Sequence, residues 1–87
     1  MINGNTLLKL GFKELPYKTI GNILNYELSR NRHLSISFVG TPNEMLYLCA
    51  TDNVNNENEI TDLICLHNYD YDGYITSEKI QKIINLF

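Results

Sequence analysis

The residues best suited to chemistry lie in the acidic turn, defined here as residues 68–76 (NYDYDGYIT). Oxygen-bearing side chains stand at alternate positions, and Gly73 follows them where the chain can change direction sharply. Carboxylate, amide and carbonyl oxygens are the ligands that calcium prefers. The spacing therefore indicates a candidate ion loop. Its possible ligands are Asn68, Asp70, Asp72 and the backbone carbonyl of Tyr74.

The acidic turn resembles the calcium loop of EF-hand proteins. That family has oxygen ligands at loop positions one, three and five, glycine at six, a hydrophobe at eight and a bidentate glutamate at twelve. Gly73 and Ile75 fit positions six and eight. Position twelve, however, is Lys79, and Glu78 stands one residue early. The resemblance implies a calcium-binding module that uses the Asn68–Glu78 loop, although a cation replaces its closing carboxylate.

The interpretation that we favour for the acidic turn is structural. Aspartate and glycine are common turn formers, and Thr76 is a suitable N-cap for a following helix. On this interpretation the turn connects a strand to the C-terminal helix, and no cofactor is required. Calcium remains the alternative cofactor.

Two further groups of residues could bind small ions. Cys65 and His67 lie two apart on a predicted strand, where side chains at i and i+2 share a face, and with Cys49 and His33 they could form a zinc site. Because no closely spaced cysteine pair is present, two core thiols and a histidine at the end of the sheet are the favoured interpretation.

A polar segment between two predicted strands offers an anion or nucleotide site as a second alternative. Its residues are Arg30, Arg32 and His33. Two guanidinium groups can grip a phosphate or an acidic partner. An ordinary solvated hairpin turn explains the same residues. We find no glycine-rich phosphate loop and no nucleophile elbow, so the sequence predicts a protein that is not an enzyme, with no catalytic residues.

Length, net charge and composition limit the kinds of partner that we expect for this protein. The chain has 87 residues, which predicts a single domain spanning 1–87. Its net charge of -3 and pI of about 5.2 argue against general nucleic-acid binding, which relies on a basic surface. No apolar run is long enough to span a bilayer and no signal peptide is visible, so we expect no membrane association. Two cysteines in apolar runs predict free thiols and a cytoplasmic location.

Hydrophobic periodicity predicts the elements that position these residues. Apolar side chains alternate with polar ones around Leu24–Leu28 and Leu34–Phe38, and two more strands follow at Met45–Ala50 and Ile60–Leu66. A short helix precedes them, and an amphipathic helix follows Thr76. We therefore predict an α+β two-layer sandwich: a four-stranded antiparallel meander with both terminal helices on one face.

The third and fourth predicted strands are apolar on both faces, which is unusual for a solvated antiparallel sheet. A partner protein or a second copy of the chain, as a homodimer, would cover this surface, aided by exposed tyrosines of the acidic turn. The alternative is that residues 12–21 fold over it. The predicted binding residues are Met45, Tyr47, Leu63, Cys65, Tyr69 and Tyr71.

The layout resembles small proteins of phages and mobile elements in low-GC bacteria, particularly Bacteroidota. The matching features are a short helix with a Gly-Phe end, Leu7–Phe12, and the segment Thr76–Ile80 (TSEKI) that opens the last helix. The resemblance implies the fold given above. It also implies an accessory or inhibitory role, in which the protein binds a host or phage protein and blocks or redirects it.

Overall fold

The structure is a computed structural model that describes residues 2–15, 23–50 and 61–87. Its elements are α1 (Gly4–Lys9), β1 (Lys13–Glu14), β2 (Ile23–Ser29), β3 (Arg32–Ser37), β4 (Met45–Ala50), β5 (Thr61–Asn68), α2 (Tyr69–Asp72) and α3 (Ser77–Leu86). The strands form one sheet in the order β1-β2-β3-β4-β5, with every neighbouring pair antiparallel. The predicted α+β class is confirmed, but the sheet has five strands rather than four.

The additional strand is β1, which pairs with β2 through Lys13 opposite Asn25 and Glu14 opposite Leu24. A strand of two residues is too short to show an alternating pattern, which is why the sequence does not reveal it. Residues 16–21, which the sequence analysis considered as a cover for the apolar sheet surface, lie outside the described residues.

One face of the sheet, the helix face, carries the core. Strand residues from β2, β3 and β4 meet one residue from each terminal helix and two from the adjoining segments. Both terminal helices therefore pack on the same face, as the alternation predicted. The buried members of this cluster are Leu7, Phe12, Leu24, Leu34, Ile36, Leu46, Ile75 and Ile80.

Capping side chains fix where the two longer helices begin. The Oδ1 atom of Asn3 accepts a hydrogen bond from the Thr6 amide at 3.0 Å, which makes Asn3 the N-cap of α1. The Oγ1 atom of Thr76 accepts from the Lys79 amide at 3.2 Å, which confirms this residue as the cap of α3. In the described part of the chain, no helix combines the length and apolar character needed to cross a membrane.

Strand β3 ends one residue earlier than its sequence pattern suggests. Phe38 has a φ of 53°, a left-handed conformation that a β-strand does not contain. Its carbonyl accepts hydrogen bonds from both the amide and the hydroxyl of Thr41, at 3.1 and 2.7 Å. Phe38 therefore begins the turn to β4 and does not continue the apolar face of β3.

Candidate functional site

Strand β5 forms one outer edge of the sheet, since β4 is its single strand neighbour among the residues that the structure describes. It is eight residues long, and its central segment, residues 63–66 (LICL), carries no charge. Leu63 and Ile64 are each 57% exposed. An edge strand presents a row of backbone N–H and C=O groups, and proteins usually protect long apolar edges because another strand can pair there.

The sheet face opposite the helices, here called the second face, extends this apolar edge. Cys65 lies opposite Tyr47, and Met45 lies opposite Asn68, so these side chains share the second face. Met45 and Tyr47 are half-buried, and Cys65 is an exposed free thiol. Burial raises the pKa of Tyr47, partly offset by its hydrogen bond with Ser37. The structure therefore brings the predicted strand residues together beside the β5 edge.

The predicted tyrosines lie just beyond β5, on the single-turn helix α2. Tyr71 is 88% exposed. The ring of Tyr69 is half-buried, with its centroid 4.7 Å from that of Tyr74. Tyr71 is therefore the aromatic side chain of this turn that is most open to a partner, while Tyr69 is partly buried against Tyr74, which is 38% exposed.

Two of the four candidate ligands in the acidic turn accept hydrogen bonds from the turn's own backbone. Asn68 is the N-cap of α2, and its Oδ1 atom accepts from the Asp70 amide at 3.0 Å. The Oδ2 atom of Asp72 accepts in return from the Asn68 amide at 3.1 Å. Gly73, with a φ of 71°, ends α2. These contacts support the structural interpretation of the turn, and calcium binding stays an untested prediction.

A buried charged group that the sequence analysis did not identify lies beneath the end of β5. Glu44 is 1% exposed, and its carboxylate accepts hydrogen bonds from the amides of Gly40 at 2.7 Å and Ile75 at 2.8 Å. These contacts join the β3–β4 turn to the segment before α3. Two amide donors compensate much of the cost of burying a carboxylate. The sequence around Glu44 (TPNE) resembles an exposed turn, so nothing local marks this role.

His67 extends this buried group. The Nζ atom of Lys79, which can only donate, lies 3.2 Å from His67 Nδ1. The ring therefore carries its proton on Nε2, which faces Glu44 Oε1 at 3.8 Å and has no hydrogen-bond partner. Lys79, the residue at the closing position of the calcium-loop pattern, is thus directed towards the sheet and not into the acidic turn.

The expected common face of Cys65 and His67 is wrong. A register shift between Leu46 and Tyr47 leaves His67 opposite Leu46 and Cys65 opposite Tyr47, on different faces of the sheet. Burial raises the pKa of the Cys49 thiol, which favours the protonated form. Over the described ranges, no group of three or more histidine, cysteine, aspartate or glutamate side chains is arranged to hold a metal ion.

The residues of the predicted anion site do not come together either, because adjacent residues of a strand point to opposite faces of the sheet. The Arg32 guanidinium lies over the Phe87 ring, 5.7 Å from its centroid. His33 is on the second face, paired with Cys49, and is 5% exposed. Arg30 is exposed in the turn between β2 and β3. Strand alternation could have separated Arg32 from His33 in advance.

His33 instead belongs to a buried polar network on the second face. The Ser35 hydroxyl donates to Asn25 Oδ1 at 2.9 Å, and Asn25 Nδ2 donates to His33 Nδ1 at 3.1 Å. The Ser35 Oγ and Cys49 Sγ atoms lie 3.5 Å apart. Because Ser35 gives its proton to Asn25, the thiol is the donor in that contact. The network runs in one direction, from Cys49 to His33.

Comparisons of the chain with known protein families, with curated proteins and with solved structures find no match. The resemblance to proteins of phages and mobile elements therefore remains a prediction from the sequence. The function must be argued from the surfaces described above.

Proposed function

We propose that this protein is a non-enzymatic binding module that receives an extended strand of a partner protein along β5. The carrying observation is the eight-residue edge strand on which Leu63 and Ile64 are each 57% exposed. Backbone groups of β5 that none of the described strands pairs would supply the hydrogen bonds of strand addition. Side chains on the two sides of the sheet, among them Cys65 and Ile64, would select a partner strand that is apolar on both faces.

Charge favours a different protein over a second copy as the occupant. Residues 45–87 contain two lysines and seven acidic residues, a net charge of 2 − 7 = −5. The exposed Asp70 and Asp72 directly follow the strand. Self-pairing would bring two such halves together, and like charges across an interface cost several kcal/mol in typical cases. A partner strand flanked by lysine or arginine is complementary to this surface.

A cytoplasmic accessory or inhibitory protein, as the resemblance to phage proteins implies, would use such an edge to block or redirect its target. Tyr71 supports this role because an exposed tyrosine offers a large contact area at low entropic cost. It lies at the end of the edge, where it would contact whatever follows the added strand.

The proposal is tested by calorimetric titration with a synthetic peptide in which a short run of valines, apolar on both faces when extended, is flanked by lysines. A glutamate-flanked peptide is the charge control. We expect saturable binding of the lysine-flanked peptide that weakens as salt is raised, because exposed charges are screened. Ile64→Lys should abolish binding by placing a charge on the edge. The matched control is Leu8→Lys on α1, since Leu8 is similarly exposed at 53%.

Sedimentation of the protein without peptide tests whether a second copy of the chain, and not a partner strand, pairs with β5. If the free protein is a dimer that Ile64→Lys dissociates, and neither peptide binds, then β5 pairs with a second copy of the chain and the proposed partner strand is wrong. Equal loss of peptide binding in Ile64→Lys and Leu8→Lys would remove β5 as the site. Equal affinity for both peptides would contradict the charge argument.

A further inference from the structure

A cavity of about 610 Å³ lies at the opposite edge of the sheet, where β1 ends beside β2. Its origin is the end of α1. Gly11 has a φ of 104° and turns the chain so that β1 begins only at Lys13. Beyond Asn25, strand β2 therefore has no β1 residue opposite it. The volume is within the range of roughly 300–1,000 Å³ that small-molecule sites occupy.

The cavity has an apolar wall and a charged rim. The apolar residues that line it are Leu10, Leu15 and Tyr26. The exposed rim residues are Lys13, Glu14 and Glu27, with two negative charges against one positive. This rim disfavours an anionic ligand and leaves the apolar wall to hold an uncharged body.

His33 adds one hydrogen-bond donor to this wall. Its Nδ1 atom accepts from Asn25, so the neutral ring carries its proton on Nε2. The described residues place no acceptor on Nε2, and this atom is not enclosed, since among them His67 Nε2 is the buried side-chain atom that lacks a hydrogen-bond partner. His33 is also a lining residue of the cavity. The donor is therefore accessible at the cavity, where a ligand acceptor could replace water and gain a hydrogen bond.

We propose that this cavity binds a small uncharged molecule with an apolar body and a carbonyl-type acceptor, which receives the hydrogen bond of His33 Nε2. The network from Cys49 through Ser35 and Asn25 holds the ring in the tautomer that donates. Burial lowers the pKa of His33, and the nearby charge of Glu27 raises it by less. The net lowering keeps the ring neutral near pH 7. This site is independent of strand addition at β5.

Nuclear magnetic resonance titration of the full chain with three probes tests the proposal. Benzamide carries a neutral carbonyl, toluene has no acceptor, and benzoate is anionic. We expect benzamide to shift the Asn25–Glu27 amides and the His33 Nε2 resonance, and to bind about five-fold more tightly than toluene, the ratio for one hydrogen bond of average strength. Benzoate should bind more weakly than benzamide.

Two pairs of variants test whether binding depends on the His33 donor and whether it occurs in the cavity. His33→Asn keeps an acceptor near Nδ1 but removes the Nε2 donor, and it should lose the preference for benzamide. His33→Gln, whose amide reaches the Nε2 position, should keep part of it. Lys13→Trp fills the cavity from an exposed position and should weaken all three probes, whereas the exposed Lys9→Trp on α1 should not.

The Lys13→Trp and Lys9→Trp pair decides the location even if the His33 variants fail to fold. Unchanged binding in Lys13→Trp would overturn the cavity as the site. Equal affinities for benzamide and toluene, tighter binding of benzoate, or no shift near Asn25 at millimolar probe would overturn the ligand class.

Discussion

The two outer edges of the sheet differ in which groups they expose and which they bury. At the β5 edge, leucine and isoleucine side chains are exposed in an uncharged segment, and the polar group nearby is the deeply buried Glu44. At the β1–β2 edge, exposed charges surround an apolar cavity, and a polar network lies behind it. The β5 edge is suited to an added β-strand, and the β1–β2 edge is suited to a small molecule.

On the two proposals above, the same meander offers two kinds of binding surface. Strand β5 is long and has β4 as its single neighbour among the described strands, so its other side carries a continuous row of backbone groups. Strand β1 has two residues and leaves part of β2 uncovered, so side chains and not backbone groups define that edge. The length of the outermost strand thus decides which groups a ligand meets. The predictions below test whether each edge depends on its own buried polar group.

The largest effect is expected at Glu44, beneath the β5 end. Glu44→Ala leaves the amides of Gly40 and Ile75 without their acceptor and removes the charge facing His67. Breaking a buried charged contact of this kind costs about 3–5 kcal/mol. Urea unfolding should show a loss of that size.

The matched control is Glu27→Ala, because Glu27 is exposed on β2 and its replacement should change stability by no more than about 0.5 kcal/mol. A loss at Glu44 no larger than at Glu27 would contradict the role of Glu44 in joining the β3–β4 turn to α3.

A smaller effect is expected in the network behind the cavity. Ser35→Ala removes the donor to Asn25 and the acceptor for Cys49. Leaving one buried polar group unsatisfied costs about 1–3 kcal/mol. Thermal unfolding should detect it, with Ser29→Ala at the exposed end of β2 as the control. Equal melting temperatures for the two variants would show that the network adds nothing to stability.

The smallest effect is a pH dependence. Burial lowers the pKa of His33 from its usual 6.5, so the unfolded chain binds a proton that the folded protein resists. Stability from this group is fully present above about pH 6.5, and it falls as the pH decreases towards the folded pKa. The Glu27 charge raises the same pKa, so Glu27→Gln should steepen the fall.

His33→Gln should flatten this component of the pH profile, measured by urea unfolding between pH 5 and 8. The comparison of the variant with the parent protein isolates His33 from the other histidine. An identical slope in the two proteins would contradict the burial of a neutral His33.

The sequence predicts much of the fold because periodicity reports local burial. Alternation located β2 and β3, apolar runs located β4 and β5, and the amphipathic pattern after the Thr76 cap located α3. It could not locate the shifts in strand register between β4 and β5, since a bulge depends on how two strands pair. For that reason the expected common face of Cys65 and His67 was wrong.

The candidate site was predictable where exposure follows from local pattern. The apolar character of Met45–Ala50 and of residues 63–66 identified the surface beside β5. Glu44 was missed because its partners, Gly40 and Ile75, meet it only in the folded chain. The cavity was missed because it results from the positions of α1 and β1 relative to β2.

The most direct test of the central claim, strand addition at β5, is amide hydrogen exchange of the protein saturated with the lysine-flanked peptide. Strand addition predicts new protection of alternate amides along Thr61–Asn68, because the amides at every second residue of an edge strand point away from its existing neighbour. The amides of β2 should be unaffected. Protection of no β5 amide, or equal protection of β2 and β5, would contradict the account.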